Sequence, residues 1–315
     1  MCSGVVFNCR LYMGREGETY KEGKQMKKTS KLIVLAAVGI MIAALGIFGC
    51  SSGSSSASAS ASASGSSASA SATSASASAS SAAAATEIKL LTDGKLVIGT
   101  SPDYPPFENL ENGEFVGLDM EIAKAIGEKL GLEVEFKSLQ FDAIIPAVAA
   151  GGQVDMGISG FTVDPDRAKE IDFSSTYYID DQAIAAMKGG AITAENADEA
   201  LAKATIAVQS GTSGEAYIQE NFPEATVQPY GNSTDAFAAM QAGQADAVCT
   251  NAAVVQKMLA DAYQDAQIVK SIATGEEYAI VISKDNPALT KAINEALAEL
   301  TADGTIDRLV QQYLS

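Results

Sequence analysis

Three polar loops contain the residues whose types and spacing could bind a small molecule, and each loop follows a hydrophobic run of the chain. They span residues 101–107 (SPDYPPF), 157–167 (GISGFTVDPDR) and 209–214 (QSGTSG). In open α/β sheets, ligands bind at the carboxyl ends of the strands. We therefore expect these loops to carry ligand-binding residues.

Arg167 is the residue of the second loop best suited to binding an anion, because its planar guanidinium matches a carboxylate with two hydrogen bonds. Ser159 and Thr162 add hydroxyl groups to the same loop. A lone arginine is more often part of a surface ion pair, and Asp164 and Asp166 could serve as its partners. The residues alone leave both interpretations open.

The third loop stands between a predicted strand and a predicted helix. Free backbone N–H groups at a helix start, together with the hydroxyls of Thr212 and Ser213, form a pocket for an anionic group. No lysine follows the glycines, so this loop is not a P-loop. A plain N-cap explains Ser213 equally well.

The first loop presents two aromatic rings and is stiffened by three prolines. We expect Phe107 to pack in the core. Tyr104 could pack there as well or face the ligand.

The composition excludes several chemistries. The chain of 315 residues contains no histidine, so a histidine-dependent nucleophile and a histidine metal site are both excluded. Its 39 acidic and 21 basic residues give a net charge of -18, which argues against nucleic acid as a partner. Cys249 is the one cysteine in the predicted folded part, so we expect no intrachain disulfide and no cysteine metal site. We also expect no cofactor and no bound metal.

The N-terminal segment has the pattern of a secretory signal. Residues 32–48 are apolar and follow a basic stretch that begins at Met26, and they fall short of the roughly 20 residues of a spanning helix. The run ends in glycine and Cys50, which resembles the lipobox of bacterial lipoproteins and implies lipidation of that cysteine. An uncleaved membrane anchor is the alternative. We expect residues 26–49 to be the signal peptide and residues 1–25 to be a mis-called upstream extension.

Residues 50–87 are predicted to be a tether. Between residues 51 and 85, all but Gly53, Gly65 and Thr73 are serine or alanine. Such a segment has no large apolar groups to bury and cannot offset the entropy lost on ordering. Flexible-chain statistics give it a reach of about 30–35 Å.

The elements that must position the loops alternate between strands and helices. The predicted strands span residues 95–100, 132–136, 154–159, 204–208, 225–229 and 245–250. The predicted helices span residues 119–130, 142–150, 214–221, 233–241 and 252–262, with Asp119 as the first N-cap. Such alternation is typical of an α/β fold, in which helices cover both faces of a parallel sheet.

A Gly-Gln-x-Asp sequence occurs twice, at residues 152–155 and 243–246, each time between a helix and a strand. Two similar lobes would explain this echo. Glycines that end helices also recur by chance in such folds, and that interpretation stays open.

Several motifs occur in order along the folded part. They are residues 117–121 (GLDME), 141–146 (FDAIIP), 171–174 (IDFS), 177–178 (YY), 209–213 (QSGTS) and 303–305 (DGT). Together they resemble the polar amino-acid-binding proteins of bacterial ABC importers, the extracellular solute-binding proteins of family 3. The likeness covers nearly all of residues 90–315.

The resemblance implies a two-lobed, periplasmic-binding-protein-like (Venus flytrap) α/β fold that closes on a free amino acid. Each lobe would be a mainly parallel sheet with helices on both faces, and two hinge crossovers near residues 180 and 277 would join the lobes. Lobe 1 would comprise residues 88–180 and 278–315, and lobe 2 residues 181–277.

The resemblance also implies roles for individual residues. Arg167 would hold the α-carboxylate of the ligand, and the backbone at Gly160 would accept a hydrogen bond from its α-amino group. Tyr104 and Phe141 would flank the side chain. The expected ligand-binding residues are Tyr104, Phe141, Ser159, Gly160, Thr162, Arg167, Thr212, Ser213 and Asn251.

Two positions depart from the family pattern. Asn251 stands where the family usually has an aspartate that pairs with the ligand ammonium, so either another acid compensates or the ligand is not a typical α-amino acid. Ser101 stands where members that bind basic side chains often have an acid. The expected ligand is therefore neutral or polar rather than basic.

The expected function is that of a substrate-binding lipoprotein, not an enzyme, which passes a free amino acid to an ABC permease and its ATPase on separate chains. It would be a monomer on the outer face of the cell membrane, attached by its lipid anchor alone. An enzyme on the same scaffold, similar to cyclohexadienyl dehydratase, is the alternative, with Asp103 or Asp164 as its general acid. A surface adhesin is the weakest interpretation.

Overall fold

The computed structural model describes residues 87–314. The predicted upstream extension, the signal peptide, Cys50 and all of the tether before residue 87 lie outside the described residues. Within residues 87–314, no helix combines the length and the apolar composition needed to cross a membrane.

The described part of the chain contains two five-stranded sheets and one small sheet. The first sheet consists, in spatial order, of β5 (Glu133–Ser138), β1 (Lys95–Thr100), β6 (Met156–Gly157), β13 (Val281–Ser283) and β7 (Ile171–Phe173). The second consists of β10 (Thr226–Tyr230), β9 (Thr205–Gln209), β11 (Ala247–Asn251), β8 (Tyr178–Met187) and β12 (Ala266–Tyr278). The small sheet consists of β2 (Asp103–Tyr104), β3 (Glu108–Glu111) and β4 (Glu114–Val116).

Helices cover both faces of each large sheet. Successive side chains of a strand point to opposite faces, so neighbouring residues of one strand pack against different helices. The helices are α1 (Leu118–Leu130), α2 (Phe141–Ala150), α3 (Ala197–Leu201), α4 (Ser213–Asn221), α5 (Ser233–Gln241), α6 (Ala252–Asp261), α7 (Pro287–Ala302) and α8 (Thr305–Leu314). Leu96 and Ile98 of β1 belong to the same cluster as α1 and α7, whereas Val97 packs with α2. In β9, Ile206 packs with α3 and α4, and Ala207 with α5 and α6.

In each large sheet, four strands run in one direction and one strand runs against them. β13 is antiparallel to β6 and β7, and β8 is antiparallel to β11 and β12. Both exceptions follow a chain crossing, since β7 leads into β8 and β12 leads into β13. After each crossing, the chain enters the new sheet at the edge where the parallel strands have their carboxyl ends. The entering strand is therefore antiparallel to them. The predicted fold class, with mainly parallel sheets and two crossovers, is confirmed.

The start of α1 differs from the prediction that Asp119 is its N-cap. The cap position is Gly117, which has no side chain to bond, and the helix begins at Leu118. The N–H groups of Leu118 and Asp119 donate to the carbonyls of Pro106 (3.0 Å) and Phe107 (2.9 Å) instead. The loop before β3 therefore caps the helix, and the Asp119 carboxylate is left for another use.

The two Gly-Gln-x-Asp sequences occupy equivalent places in the two large sheets. The backbone N–H of Asp155 donates to the Val97 carbonyl, and its carboxylate accepts from the Val97 N–H at 2.8 Å. Asp246 makes the same pair of contacts with Thr205 at the start of β9. Each aspartate thus fastens the end of a helix–strand turn to the beginning of the neighbouring parallel strand. The repeated sequence therefore has the same structural role in both sheets.

Gly117 tests how tightly the first loop is packed on α1. Its φ is +128°, and a Cβ there would lie 2.2 Å from the carbonyl oxygen of Phe107. Backbone atoms cannot move aside easily, so we expect Gly117→Ala to lower the free energy of unfolding by about 2–4 kcal/mol. Gly113→Ala is the matched control: φ is +87°, but nothing lies within 4 Å of its Cβ. Urea unfolding of both variants checks this, and equal losses would contradict it.

Candidate functional site

A small cavity lies where the parallel strands of both large sheets end. The residues that line it are Ser101, Tyr104, Glu108, Phe141, Ser159, Gly160, Thr162, Arg167, Gln209, Thr212, Ser213 and Asn251. All nine residues predicted from the sequence are among them, so the three loops do converge on one place.

Arg167 spans the cavity from one sheet to the loop of the other. Its guanidinium donates to the Thr162 carbonyl at 2.9 Å and to the Gly211 carbonyl at 2.9 Å. It also lies 5.5 Å from the ring centre of Phe141 and 5.8 Å from that of Phe161, within cation–π range. Burial lowers the pKa of Arg167, yet a guanidinium stays protonated in proteins. The cavity therefore contains a fixed positive charge.

Neither of the two aspartates considered as ion-pair partners of Arg167 contacts its guanidinium directly. Asp164 accepts hydrogen bonds from the backbone N–H groups of Asp166 (2.8 Å) and Arg167 (3.0 Å), which closes a turn. Asp166 forms an ion pair with Lys169. This arrangement favours the interpretation of Arg167 as a site residue over that of a surface ion pair.

The start of α4 meets Arg167 from the second sheet. Thr212, rather than Ser213, is the N-cap: its hydroxyl accepts from the Glu215 N–H at 3.2 Å and donates to the Gln209 carbonyl at 2.7 Å. Ser213 is thereby free of capping, and its hydroxyl lies 3.3 Å from that of Thr162. The helix start adds the partial positive charge of its backbone N–H groups to that of Arg167.

Aromatic rings form one wall of the cavity. Phe141 stacks on Phe161, with ring centres 4.7 Å apart. Tyr104 is 6% exposed, and its hydroxyl donates to the Asn251 side-chain oxygen at 2.5 Å. Phe107 packs edge-on against Tyr278 in the core, with ring centres 5.1 Å apart, as predicted.

Two buried acids accept hydrogen bonds from the second loop. Ser159 donates from its hydroxyl to Glu108 at 2.6 Å, and the Gly160 N–H donates to Asp119 at 2.8 Å. The Asp119 carboxylate also accepts from the Tyr177 hydroxyl at 2.8 Å. Asp119 therefore holds the Ser159–Gly160 peptide, and the Gly160 carbonyl on the following peptide is the predicted acceptor for an amino group.

Glu108 and Asp119 are both fully buried, and one oxygen of each has no hydrogen-bond partner among the described residues. Burial raises the pKa of Asp119 to about 7. Burial and the nearby charge of Asp119 raise the pKa of Glu108 well above its usual range. A proton retained on Glu108 at neutral pH would avoid placing two negative charges together in the core.

Asn251 supplies no charge, but it contacts an acid that the sequence interpretation missed. Its side-chain N–H donates to Glu276 of β12 at 3.1 Å, and Gln182 of β8 donates to the other oxygen of Glu276 at 2.9 Å. Neither Glu276 nor Gln182 belongs to a motif or follows a parallel strand. Only the position of Glu276 beside the predicted second hinge could have pointed to it.

Asp103 lies beside the far end of the cavity and is saturated with donors. It accepts from the Ser101 hydroxyl at 2.7 Å, from the Gln209 amide at 3.3 Å and from the Ser233 N–H. Burial raises the pKa of Asp103. The chemical character at this end is therefore that of a hydroxyl and an amide.

Replacing Asp119 with asparagine should change how stability depends on pH. Between about pH 4 and 7, the native state holds a proton on Asp119 that the unfolded chain releases, so raising the pH lowers the free energy of unfolding. In Asp119→Asn this loss should be smaller by roughly 2–4 kcal/mol. Denaturant unfolding of wild type, Asp119→Asn and Asp93→Asn at several pH values checks this. Asp93 is exposed, so Asp93→Asn is the control and should behave like wild type. Parallel curves for wild type and Asp119→Asn would contradict it.

Known proteins with a similar sequence and fold are binding proteins. The chain is 31% identical over 224 residues to ABC transporter arginine-binding protein 1 of Escherichia coli K12, covering 70% of this chain and 90% of the relative. It is 34% identical over 227 residues to the glutamine-binding protein GlnH of Bacillus subtilis 168, covering 70% and 81%. The structure of an ancestral arginine-binding protein bound to arginine matches with a TM-score of 0.66 and 35% identity, covering 70% of this chain and 99% of that one.

These relatives are named as binding proteins, which confirms the expectation of a binding protein rather than an enzyme. Residues 96–315 match the model of a single family. The protein therefore belongs to the bacterial extracellular solute-binding proteins, family 3.

Proposed function

We propose that this protein is the extracytoplasmic receptor of an ABC importer, which captures a free amino acid between two lobes and delivers it to the permease. The names of the relatives support an amino-acid ligand and a transporter partner. The permease and its ATPase are separate chains. The receptor itself acts as a monomer and binds no nucleic acid.

The observation that carries this proposal is the meeting of Arg167 with the start of α4. The guanidinium and the hydroxyls of Thr162 and Ser213 come together from the two sheets. A cation and a helix N-terminus that face one place suit a single carboxylate. The carbonyl of Gly160, a residue whose N–H is held by Asp119, would accept from the ligand α-amino group.

The lobes would exchange between an open and a closed arrangement about the two crossings. We place lobe 1 at residues 88–180 and 278–315, and lobe 2 at residues 181–277. The memberships of the two large sheets support these boundaries, since the chain passes from β7 into β8 and from β12 into β13. A ligand that contacts both lobes binds the closed arrangement better and shifts the equilibrium toward it.

We propose that the ligand has a neutral or polar side chain. The far end of the cavity offers the Ser101 hydroxyl and the Gln209 amide. The nearby charge of Asp103 is already used by three donors, so a guanidinium or ammonium there would have to displace them. The side chain would lie between Tyr104 and Phe141.

We further propose that Cys50 carries a lipid that holds the receptor on the outer face of the cell membrane. The apolar run before Cys50 and the serine- and alanine-rich segment after it support an anchor followed by a spacer. A spacer of about 30 Å or more would leave the lobes free to reach the permease.

Binding assays with Arg167→Ala test the function. We expect a thermal-shift screen of the twenty amino acids to give the largest shifts with neutral polar ones. The Arg167→Ala variant should bind the best ligand at least about 100-fold more weakly by calorimetry, because it loses the charge that faces the carboxylate. Lys169→Ala, on the same turn but exposed, is the control and should bind normally. Undiminished binding by Arg167→Ala would contradict the assignment.

Cell fractionation with Cys50→Ser tests the anchor. Wild-type protein should remain with the membrane fraction until detergent is added, since its acyl chains are buried in the bilayer. The Cys50→Ser variant should lose the lipid and appear in the soluble fraction if residues 26–49 are still removed. A variant that stays in the membrane with an uncleaved N-terminus would favour the membrane-anchor alternative.

A further inference from the structure

Glu276 is a half-buried acid of β12 that lies just before the crossing into the first sheet. The pairing register between β12 and β8 shifts between Ile272 and Glu276, which marks an irregularity in the ladder. Bulges of this kind re-aim the side chains next to them. The carboxylate of Glu276 reaches residues that line the cavity.

Four neutral groups donate to this carboxylate. One oxygen accepts from the hydroxyls of Thr162 (2.6 Å) and Ser213 (2.8 Å) and from the Asn251 amide (3.1 Å). The other oxygen accepts from the Gln182 amide at 2.9 Å. None of the ion pairs formed within residues 87–314 includes Glu276. The carboxylate is therefore hydrogen-bonded by neutral donors in the cleft, and the charge of Arg167 acts on it without a direct contact.

A free amino acid brings an α-ammonium into the cleft together with its carboxylate. A cation that leaves water is costly unless an anion faces it. Arg167 and the start of α4 are suited to the carboxylate, so the ammonium needs an acid close to Thr162 and Asn251.

The other acids near the cavity are less suitable. Glu108 lines the cavity, but its burial beside Asp119 favours the neutral form. Asp103 does not line the cavity, and its carboxylate already accepts from Ser101, Gln209 and Ser233. Asp180 accepts from the Ala253 N–H at 3.3 Å and from the buried Tyr278 hydroxyl at 3.4 Å.

We propose that Glu276 determines the specificity of the site for amino acids, because its carboxylate binds the α-ammonium of the ligand in the closed form. This inference rests on the proposed function. Asn251 orients the carboxylate instead of supplying the charge. The hydroxyls of Thr162 and Ser213, which can rotate, then turn from Glu276 toward the carboxylate of the ligand.

The same contacts would allow an opposite role, in which Glu276 competes with the ligand carboxylate for the hydroxyls of Thr162 and Ser213. The two roles predict opposite changes in the affinity for amino acids. Removing the charge weakens amino-acid binding if Glu276 pairs with the ammonium, and tightens it if Glu276 competes.

Calorimetry with Glu276→Gln distinguishes them. The probe is whichever of the twenty amino acids binds wild type most tightly, compared with the same molecule without its α-amino group; for L-glutamine this analogue is glutaramate. We expect Glu276→Gln to bind the amino acid about 10- to 100-fold more weakly. Binding of the analogue should change by less than about 3-fold, since it has no ammonium to lose a partner.

Two further variants separate this role from a structural one. Glu277→Gln is the matched control, because Glu277 is the exposed next residue and accepts from Thr176 at 2.9 Å. It should bind like wild type. Adding Asn251→Asp to Glu276→Gln returns a carboxylate to the same place and should restore much of the lost affinity. A merely structural defect would not be rescued in this way.

The outcomes also separate this inference from the proposed function. If wild type binds none of the twenty amino acids, the proposed function is wrong. If wild type binds one and Arg167→Ala abolishes that binding, while Glu276→Gln binds equally or more tightly, the receptor function stands and the role of Glu276 is overturned. Equal losses for the amino acid and its analogue would also overturn it.

Discussion

The direction of the strands is the constraint on which the rest of the structure depends. The parallel strands of both sheets end at the cavity, so their polar loops meet there. The two strands that run backwards, β8 and β13, carry the chain across that same edge. The binding residues and the crossings therefore share one boundary. Any movement about the crossings would change the distance between Arg167 and the start of α4.

Charges of both signs lie close together at the cavity. Arg167 lies over two aromatic rings, Glu276 lies among neutral donors, and Thr162 accepts from the first and donates to the second. The buried pair of Glu108 and Asp119 stands behind the second loop, where a retained proton limits its charge. An amino acid, with one charge of each sign, is complementary to such an arrangement.

Several elements and their capping residues show how much of the fold could be predicted from the sequence. The predicted bounds of β1 and α5 agree with the structure, and those of α2, α4 and α6 agree to within one residue. The prediction missed β8 and β12, because part of each faces solvent and neither is a simple hydrophobic run. It also assigned the cap of α1 to Asp119 and left Ser213 open as the cap of α4. The caps are Gly117, two residues before Asp119, and Thr212, directly before Ser213, which leaves both predicted side chains for tertiary contacts.

The sequence by itself determined the alternating elements and the three loops, which follow from local periodicity. The nine residues that line one cavity were implied by the resemblance of its ordered motifs to the family. Only the tertiary structure decided that Asp119 supports the second loop and that Glu276 contacts Asn251. Those contacts join residues 41 and 25 positions apart. Their strength depends on burial and on the approach of separate strands, and neither is encoded in local spacing.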